Sequence, residues 1–424
     1  MITFRVHAFS FSSHSAQSNP THEYDSFILL SGPQVKTRLH GLDTLRSAAI
    51  LAVIVYHVLD FGGGNKLPAW LESIAQFGWM GVDLFFVLSG FLIGSQLLRP
   101  CLRGETPSLL GFYRNRAYRI LPAYLAVLAL YEWMPAWRES SSLAPAWAFL
   151  TFTANFVIVP FDAHAFSHAW SLCVEEHFYL ALPLIVIVMI RRPSARKTIT
   201  VLAAFIAIGI GMRAFVLFHS LRPLADAGQI FGGHYLGLIY YATYCHFDGL
   251  LAGILLAILK SFRPEWWARF ARRGHLQTLA ALALIVGCLP LFRYRYESVT
   301  GITAVGDVIG FPVLSLGLGL LVASALSDNG LLSRFRVPGA KLVATLAYSL
   351  YLTQKEMIHL VSDWFPSLES RGGWRWLLVY ALCSFAVAAA LYLFVERPFL
   401  LLRDRRREQP ARLELQPART ETEG

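Results

Sequence analysis

The chain of 424 residues is 55% hydrophobic and 15% charged, and its mean hydropathy is +0.49. A soluble globular domain carries about 25% charged residues, so this composition excludes an ordinary soluble protein and predicts a membrane protein. The formal net charge of +10 would also suit a nucleic-acid partner. The sequence shows no basic patches interleaved with aromatic residues of the kind that bind nucleic acid, so we predict no such partner.

The two ends of the chain differ from its apolar middle. Residues 1–38 are rich in Ser, His and Phe, and they lack the basic, apolar and small-residue regions of a signal peptide. We expect a disordered N-terminal extension at 1–38 and a membrane domain at 39–402. Residues 403–424 alternate charges with proline, which predicts a disordered, charged cytoplasmic tail.

The middle of the chain contains ten stretches that are long and apolar enough to cross a membrane, which takes roughly 20 mostly apolar residues. The sequence therefore predicts an all-α, polytopic membrane protein with about ten transmembrane helices. The stretches are 42–59, 78–98, 118–134, 171–190, 198–218, 237–259, 276–292, 304–326, 342–361 and 376–396.

The basic residues predict the orientation of these helices, because Lys and Arg accumulate in cytoplasmic loops. With a cytoplasmic N-terminus, the inner loops 99–117, 191–197, 260–275 and 327–341 and the tail hold most of the basic residues. Both termini are therefore expected to be cytoplasmic, and the net charge is expected to contact lipid headgroups. An eleventh span at 143–159 would reverse the later loops, so we interpret that stretch as a re-entrant or interfacial segment on the outer face.

Arg46 and His57 lie in the first predicted helix with ten residues between them. An α-helix turns about 100° and rises about 1.5 Å per residue, so His57 falls within roughly 20° of the face of Arg46 and about 16 Å further along. Ionisable groups at membrane depth cost about 2.5–3.5 kcal/mol each and usually mark a functional site. We predict such a site on this face of the helix.

His57 is the candidate general base, because an imidazole takes up and releases protons near neutral pH. A carboxylate from Asp83, Glu175 or Glu176 would orient its ring. The alternative is an interfacial histidine that a backbone carbonyl satisfies.

Two further pairs of charged residues have both functional and structural interpretations. The Arg116 and Arg119 side chains share one helical face, which suits the capture of phosphates, although ordinary cytoplasmic anchoring also explains them. Lys355 and Glu356 either neutralise each other or pair with other helices. The five cysteines, which are scattered without CxxC spacing, predict neither a disulfide framework nor a metal site: Cys101, Cys173, Cys245, Cys288 and Cys383.

Seven motifs in order then resemble acyltransferase family 3, the integral membrane O-acyltransferases that modify bacterial surface sugars and some macrolides. The first is Arg-x(10)-His at Arg46 and His57, and the likeness covers residues 40–402. The others are Asp-Leu-Phe-Phe-Val-Leu-Ser-Gly-Phe-Leu-Ile at 83–93, Arg-x-x-Arg-Ile-Leu-Pro at 116–122, His-x-Trp-Ser-Leu-x-Val-Glu-Glu-x-Phe-Tyr at 168–179, Asp-x-Leu-Leu-x-Gly at 248–253, Tyr-Ser-Leu-Tyr-Leu at 348–352 and Val-Glu-Arg-Pro-Phe at 395–399.

The resemblance implies transfer of an acyl group, often acetyl from acetyl-CoA, to a hydroxyl of a glycan, glycolipid or macrolide, without a metal. His57 would be the base or a transient acyl carrier. Arg116 and Arg119 would hold the coenzyme A phosphates, while Arg46 guides the pantetheine arm or polarises the thioester. We assign contacts with the acceptor, lipopolysaccharide being one candidate, to Trp170, Ser171, Glu176, Tyr179 and Asp248.

The family also implies the bacterial inner (plasma) membrane as the location, with membrane lipids around the protein. Two positions depart from its usual pattern. His177 stands where Gln is common, and Gln354 stands where His is common, which points to a different choice of substrate.

Three other functions remain open. One is a proton-coupled transporter, because membrane-buried ions also mark proton transport. Another is an acyl-group transporter that supplies a separate periplasmic transferase. The last is a non-catalytic sensor or scaffold, which would leave the motifs unexplained.

Overall fold

The computed structural model describes residues 39–61, 69–159, 162–191, 194–229, 232–293, 301–371 and 373–414. These residues are mostly helical and contain no β-strand, which confirms the predicted all-α class. The helices are α1 His40–Phe61, α2 Ala69–Ala75, α3 Met80–Leu102, α4 Leu109–Trp133, α5 Ala146–Leu150, α6 Ala154–Val157, α7 Trp170–Arg191, α8 Ala195–Val216, α9 Arg222–Asp226, α10 Gly232–Tyr235, α11 Asp248–Phe262, α12 Pro264–Ala271, α13 Gly274–Phe292, α14 Gly301–Val305, α15 Phe311–Ala325, α16 Leu331–Arg334, α17 Ala340–Trp364, α18 Pro366–Arg371, α19 Trp374–Leu391 and α20 Arg397–Glu414.

Several of these helices are joined or followed by helical turns of different pitch. Within the described ranges, four segments are π-helical: Leu217–Leu221, Leu236–Tyr240, Gly306–Gly310 and Tyr392–Glu396. Three are 3₁₀ turns: Pro135–Trp137, Ser167–Ala169 and Thr243–Cys245.

Seven helical stretches among the described residues are long and apolar enough to cross a membrane, which confirms a polytopic membrane protein. They are His40–Asp60, Trp70–Leu102, Ser167–Arg191, Ala195–Asp226, Gly274–Phe292, Gly301–Ala325 and Trp374–Arg406. The predicted spans 118–134 and 342–361 lie inside α4 and α17, which have 25 residues each but carry more charged side chains.

The predicted span at 237–259 is wrong as a continuous helix. The chain leaves the helix after Tyr240 and resumes it only at Asp248, so that α11 has 15 residues. Side chains satisfy the irregular backbone between them: Asn155 Nδ2 donates to the Tyr241 carbonyl at 3.0 Å, and Arg213 donates to the Cys245 carbonyl. Buried polar partners of this kind permit a break at membrane depth.

Residues 143–159 form the short helices α5 and α6 rather than one long helix, in agreement with the prediction that this stretch does not span. The predicted N-terminal extension at 1–38 lies outside the described residues. Helix α20 continues to Glu414, so residues 403–414 are helical rather than disordered as we predicted. Arg, Leu and Glu are good helix formers, and that propensity outweighs the charge of the segment. Residues 415–424 lie outside the described residues.

Two pairs of parallel helices position the site. Helix α1 runs beside α17, with Ser47 Oγ donating to the Ala340 carbonyl at 2.7 Å near their N-terminal ends and His57 meeting Gln354 further along. Helices α3 and α11 cross closely at glycines, because a Cβ on Gly253 would lie 2.2 Å from the Val87 carbonyl oxygen. Both contacts fix how far two neighbouring helices are shifted relative to each other along their axes, and therefore which of their side chains meet.

Candidate active site

A cavity of about 130 Å³ lies between α1, α3, α4, α7 and α17. Five residues that the sequence analysis singled out line it together. They are Arg46, Arg116, Arg119, Ser171 and Glu175. The structure thus brings all three predicted cofactor-binding arginines to one place, although they come from two different helices.

The two arginines of α4 are held in different ways. The Arg116 guanidinium lies 4.5 Å from the centroid of the Tyr179 ring. Arg119 forms an ion pair with Glu396, whose other oxygen accepts a hydrogen bond of 2.9 Å from Ser349 Oγ. A guanidinium has five N–H donors, so this one carboxylate does not use all the donors of Arg119.

Glu175 is fixed on the cavity wall by two hydroxyl groups. Ser89 Oγ donates to its Oε1 at 3.0 Å, and the Tyr179 hydroxyl donates to its Oε2 at 2.8 Å. Tyr179, which we predicted to bind the acceptor, therefore contacts Glu175 and Arg116. Glu176 does not line the cavity, and its buried Oε1 has no hydrogen-bond partner among the described residues.

Ser171 connects the cavity to the backbone of His168 through Tyr351. Its Oγ lies 2.6 Å from the hydroxyl of Tyr351, and that hydroxyl donates to the His168 carbonyl at 2.8 Å. Because Tyr351 has one proton to give, Ser171 is the donor to Tyr351 in this chain of hydrogen bonds.

His57 faces Gln354, whose side-chain nitrogen lies 2.6 Å from Nδ1 of the imidazole. Lys355, His168 and Glu139 are close enough to act on His57 electrostatically. We predicted that Asp83, Glu175 or Glu176 would orient this ring, and the structure places an amide at Nδ1. In the sequence analysis Gln354 stood out only as a departure from the family pattern, and no pattern connected it with His57.

Three predicted site residues, Asp83, Trp170 and Asp248, belong to a second polar group. None of them is among the described residues that line the cavity. Asp83 Oδ1 lies 3.2 Å from Nε2 of His246, and both side chains are buried. The Trp170 ring stands edge-on to that imidazole at 5.4 Å, and Asp248 pairs with Arg213 at 2.7 Å. The break before α11 brings His246 to Asp83, which a continuous helix at 237–259 did not predict.

A third group of buried charges lies near His57. Lys355 Nζ is 3.1 Å from Glu139 Oε1 and donates to Ser167 Oγ at 2.7 Å. Tyr131 lies between two carboxylates, donating to Glu139 Oε2 at 2.8 Å and contacting Glu356. Lys355 and Glu356 thus pair with different residues rather than with each other. No pattern in the sequence distinguished Glu139 from an ordinary charged residue in a loop.

Among the described residues, no group of three or more His, Cys, Asp or Glu side chains is arranged to hold a metal ion. The site and its surroundings contain the imidazole of His57, several hydrogen-bonding hydroxyls and a cluster of guanidinium groups. Guanidinium groups bind phosphates through paired N–H donors. A phosphate-bearing ligand at the cavity is thus within reach of the helix that carries His57.

Comparison with known proteins assigns the chain to a family. Residues 39–393 match the family described as an acyltransferase domain, so the match covers most of the chain. The chain belongs to acyltransferase family 3. The match confirms the family resemblance that the seven motifs indicated.

The acyltransferase family 3 chain is also similar to curated proteins of Staphylococcus aureus. Over 380 residues it is 25% identical to O-acetyltransferase OatA of strain NCTC 8325 / PS 47. This alignment covers 85% of this chain and 57% of that protein. It is 26% identical over 383 residues to a putative O-acetyltransferase of strain COL, with the same shares. The chain thus spans just over half the length of these relatives. No solved structure matches it.

Proposed function

We propose that this chain is a membrane-bound O-acyltransferase that moves an acyl group, acetyl in the first instance, from acyl-CoA to a hydroxyl of a cell-surface glycan or glycolipid. The convergence of Arg46, Arg116 and Arg119 on one cavity carries the proposal. The family membership and the O-acetyltransferase relatives support the same reaction. Lipopolysaccharide and macrolides belong to the range of acceptors.

In this proposal the cavity binds the donor. Arg116 and Arg119 bind the phosphates of coenzyme A, and Arg46 lies beside the pantetheine arm. His57 follows about 16 Å further along α1, so an extended arm along this helix carries the thioester towards the imidazole. With both termini cytoplasmic, as the basic loops predict for a bacterial inner membrane, the acceptor enters from the periplasmic side.

The chemistry then needs one base. His57 Nε2 takes the proton of the acceptor hydroxyl while the hydroxyl oxygen attacks the thioester carbonyl carbon. The tetrahedral intermediate collapses with cleavage of the carbon–sulfur bond. The coenzyme A sulfur leaves with the proton that the imidazolium returns, so that the histidine ends neutral and the acceptor carries the ester.

A second candidate is an acyl-group transporter that passes the group to a separate periplasmic transferase. The buried charges near His57, such as the ion pair of Lys355 and Glu139, favour it, because ionisable groups inside a membrane protein also mark transport pathways. In that case the acyl group would leave coenzyme A without reaching a glycan until the second protein is added.

The test is transfer of label from acetyl-CoA to membrane glycans by purified, reconstituted protein. We expect His57→Ala to lower the rate by about 10²–10⁴-fold, the usual contribution of a general base. His219→Ala is the matched control, since that exposed histidine bonds to the Phe215 carbonyl of its own helix. Equal rates for wild type and His57→Ala contradict the assignment, and thioester loss without glycan labelling favours the second candidate.

A further inference from the structure

The side chain of Gln354 is completely buried and meets the imidazole of His57 across the interface between α1 and α17. Its own backbone carbonyl accepts a hydrogen bond of 3.1 Å from the Tyr380 hydroxyl of α19. Three helices therefore fix the position of this residue. A buried amide held this firmly against a reactive imidazole restricts the rotation of the ring.

The side-chain amide of Gln354 can turn either its nitrogen or its oxygen towards His57, and the two arrangements place the imidazole proton on different nitrogens. If the amide nitrogen donates to Nδ1, the imidazole proton resides on Nε2, and Nε2 has no lone pair with which to act as a base. If the amide oxygen accepts from Nδ1–H, the lone pair lies on Nε2 and is available. The two arrangements differ only in the exchange of the amide nitrogen and oxygen.

The requirement for a base selects the second arrangement. With the nitrogen towards Nδ1, the buried Oε1 has no hydrogen-bond partner among the described residues. Turning the amide gives that oxygen the Nδ1–H donor and puts the amide nitrogen in its place, so one end of the amide lacks a partner among these residues in either state. Only the turned amide leaves the lone pair on Nε2 that the proposed chemistry needs.

We propose that Gln354 is a positioning residue that orients His57 and holds its proton on Nδ1, leaving Nε2 as the base. This inference rests on the proposed function for its catalytic meaning. The neutral amide takes the place that a carboxylate occupies in Ser-His-Asp sites, as asparagine does in Cys-His-Asn sites. It orients the ring without adding a negative charge beside it.

The first arm of the test is kinetic. Gln354→Leu keeps the volume and removes the hydrogen bond, and we expect kcat for transfer from acetyl-CoA to fall about tenfold or more. The KM for acetyl-CoA should stay unchanged, because Gln354 does not line the donor cavity. Gln354→His, which restores a ring nitrogen as an acceptor, should recover most of the rate.

The matched control is Thr353→Val on the same turn of α17. Its hydroxyl donates only within its own helix, to the Ser349 carbonyl at 3.0 Å, so kcat and KM should both remain at the wild-type level. A loss of kcat in Thr353→Val equal to that in Gln354→Leu would show that any change at this turn disturbs the enzyme, and it would overturn the specific role of the amide.

The second arm does not depend on acyl transfer. Diethyl pyrocarbonate modifies the unprotonated nitrogen of an imidazole, and mass spectrometry gives the rate for the peptide that contains His57. We expect Gln354→Leu to slow this modification several-fold and Gln354→His to restore it. An unchanged modification rate together with an unchanged kcat in Gln354→Leu would overturn the proposal.

The two arms separate the two proposals. Suppose that the wild-type protein consumes no acetyl-CoA but the modification rate of His57 depends on Gln354. In that case the positioning role stands and the acyltransferase function is rejected. An active wild type whose Gln354→Leu variant behaves identically in both arms retains the function and rejects the positioning role.

Discussion

Lys355 and Glu139 form an ion pair inside the protein, with 3.1 Å between Nζ and Oε1 and side-chain exposures of 2% and 7%. Glu139 also accepts hydrogen bonds from the Tyr131 hydroxyl and from the Phe166 backbone N–H at 3.0 Å. One carboxylate thus ties α17, α4 and the turn before α7 together near His57. Its removal would leave a buried cation and two buried donors without this acceptor.

We therefore predict that Glu139→Gln and Lys355→Met each destabilise the protein by about 3–5 kcal/mol, because each leaves one buried charge without its partner. The double variant should recover part of this loss. Thermal unfolding in detergent provides the measurement. Breaking the exposed Arg103–Glu105 pair by Arg103→Gln is the control and should leave the midpoint unchanged. Additive effects of the two buried changes would contradict the coupling.

Arg116 should contribute to donor binding rather than to the chemical step. We predict that Arg116→Gln raises the KM for acetyl-CoA by roughly tenfold to a hundredfold, the value of a hydrogen bond to a charged group, with kcat nearly unchanged. Arg114→Gln is the matched control, because Arg114 is exposed on the same helix and does not line the cavity. Equal changes in the two variants would mean that both arginines only anchor the helix.

The crossing of α3 and α11 should tolerate no side chain at Gly253. A Cβ there would lie 2.2 Å from the Val87 carbonyl oxygen and 2.5 Å from the Phe91 backbone nitrogen, so the helices must separate. We predict that Gly253→Ala destabilises the protein by about 1–3 kcal/mol. Gly211→Ala, where a Cβ meets nothing within 4 Å, should be neutral or slightly stabilising. Similar unfolding midpoints for the two variants would contradict this packing.

Asp83 and His246 should act as one unit. We predict that Asp83→Leu and His246→Leu each lower the thermal stability, since each leaves one buried polar partner unmatched, and that the double variant loses less than the sum. The acyl-transfer rates of the same three variants distinguish whether Asp83 acts through its pair with His246 or directly on His57. A loss of activity in Asp83→Leu much larger than in His246→Leu would favour the direct role.

The arginines of the cavity were the part of the site that the sequence could predict, because they belong to local patterns. Arg46 shares a helix face with His57, and Arg116 shares one with Arg119, so helical geometry alone groups them. Their assembly around one cavity depends on contacts between helices, which no local pattern contains. The same local patterns predicted the long helices.

The residues that were missed act through long-range contacts. Gln354 reaches His57 from a helix near the other end of the chain, and Glu139 reaches Lys355 from a loop after α4. The helix break before α11 was missed because residues 237–259 are apolar enough on average to be taken as one span, despite His246 and Asp248 near their middle. Asn155 and Arg213, which donate hydrogen bonds to the freed carbonyls, lie far away in the sequence.

The ion pair between Arg119 and Glu396 makes the order of synthesis relevant to the site. The two residues are 277 positions apart, so at about 5–20 residues per second the ribosome needs roughly 15 to 55 seconds to supply the carboxylate after the guanidinium has been made. During that interval the nascent helix bundle has no Glu396 against α4. Arg119 of the cavity lining therefore gains this partner only when the helix that carries Glu396 docks, and the proposed donor site is not complete before that step of assembly.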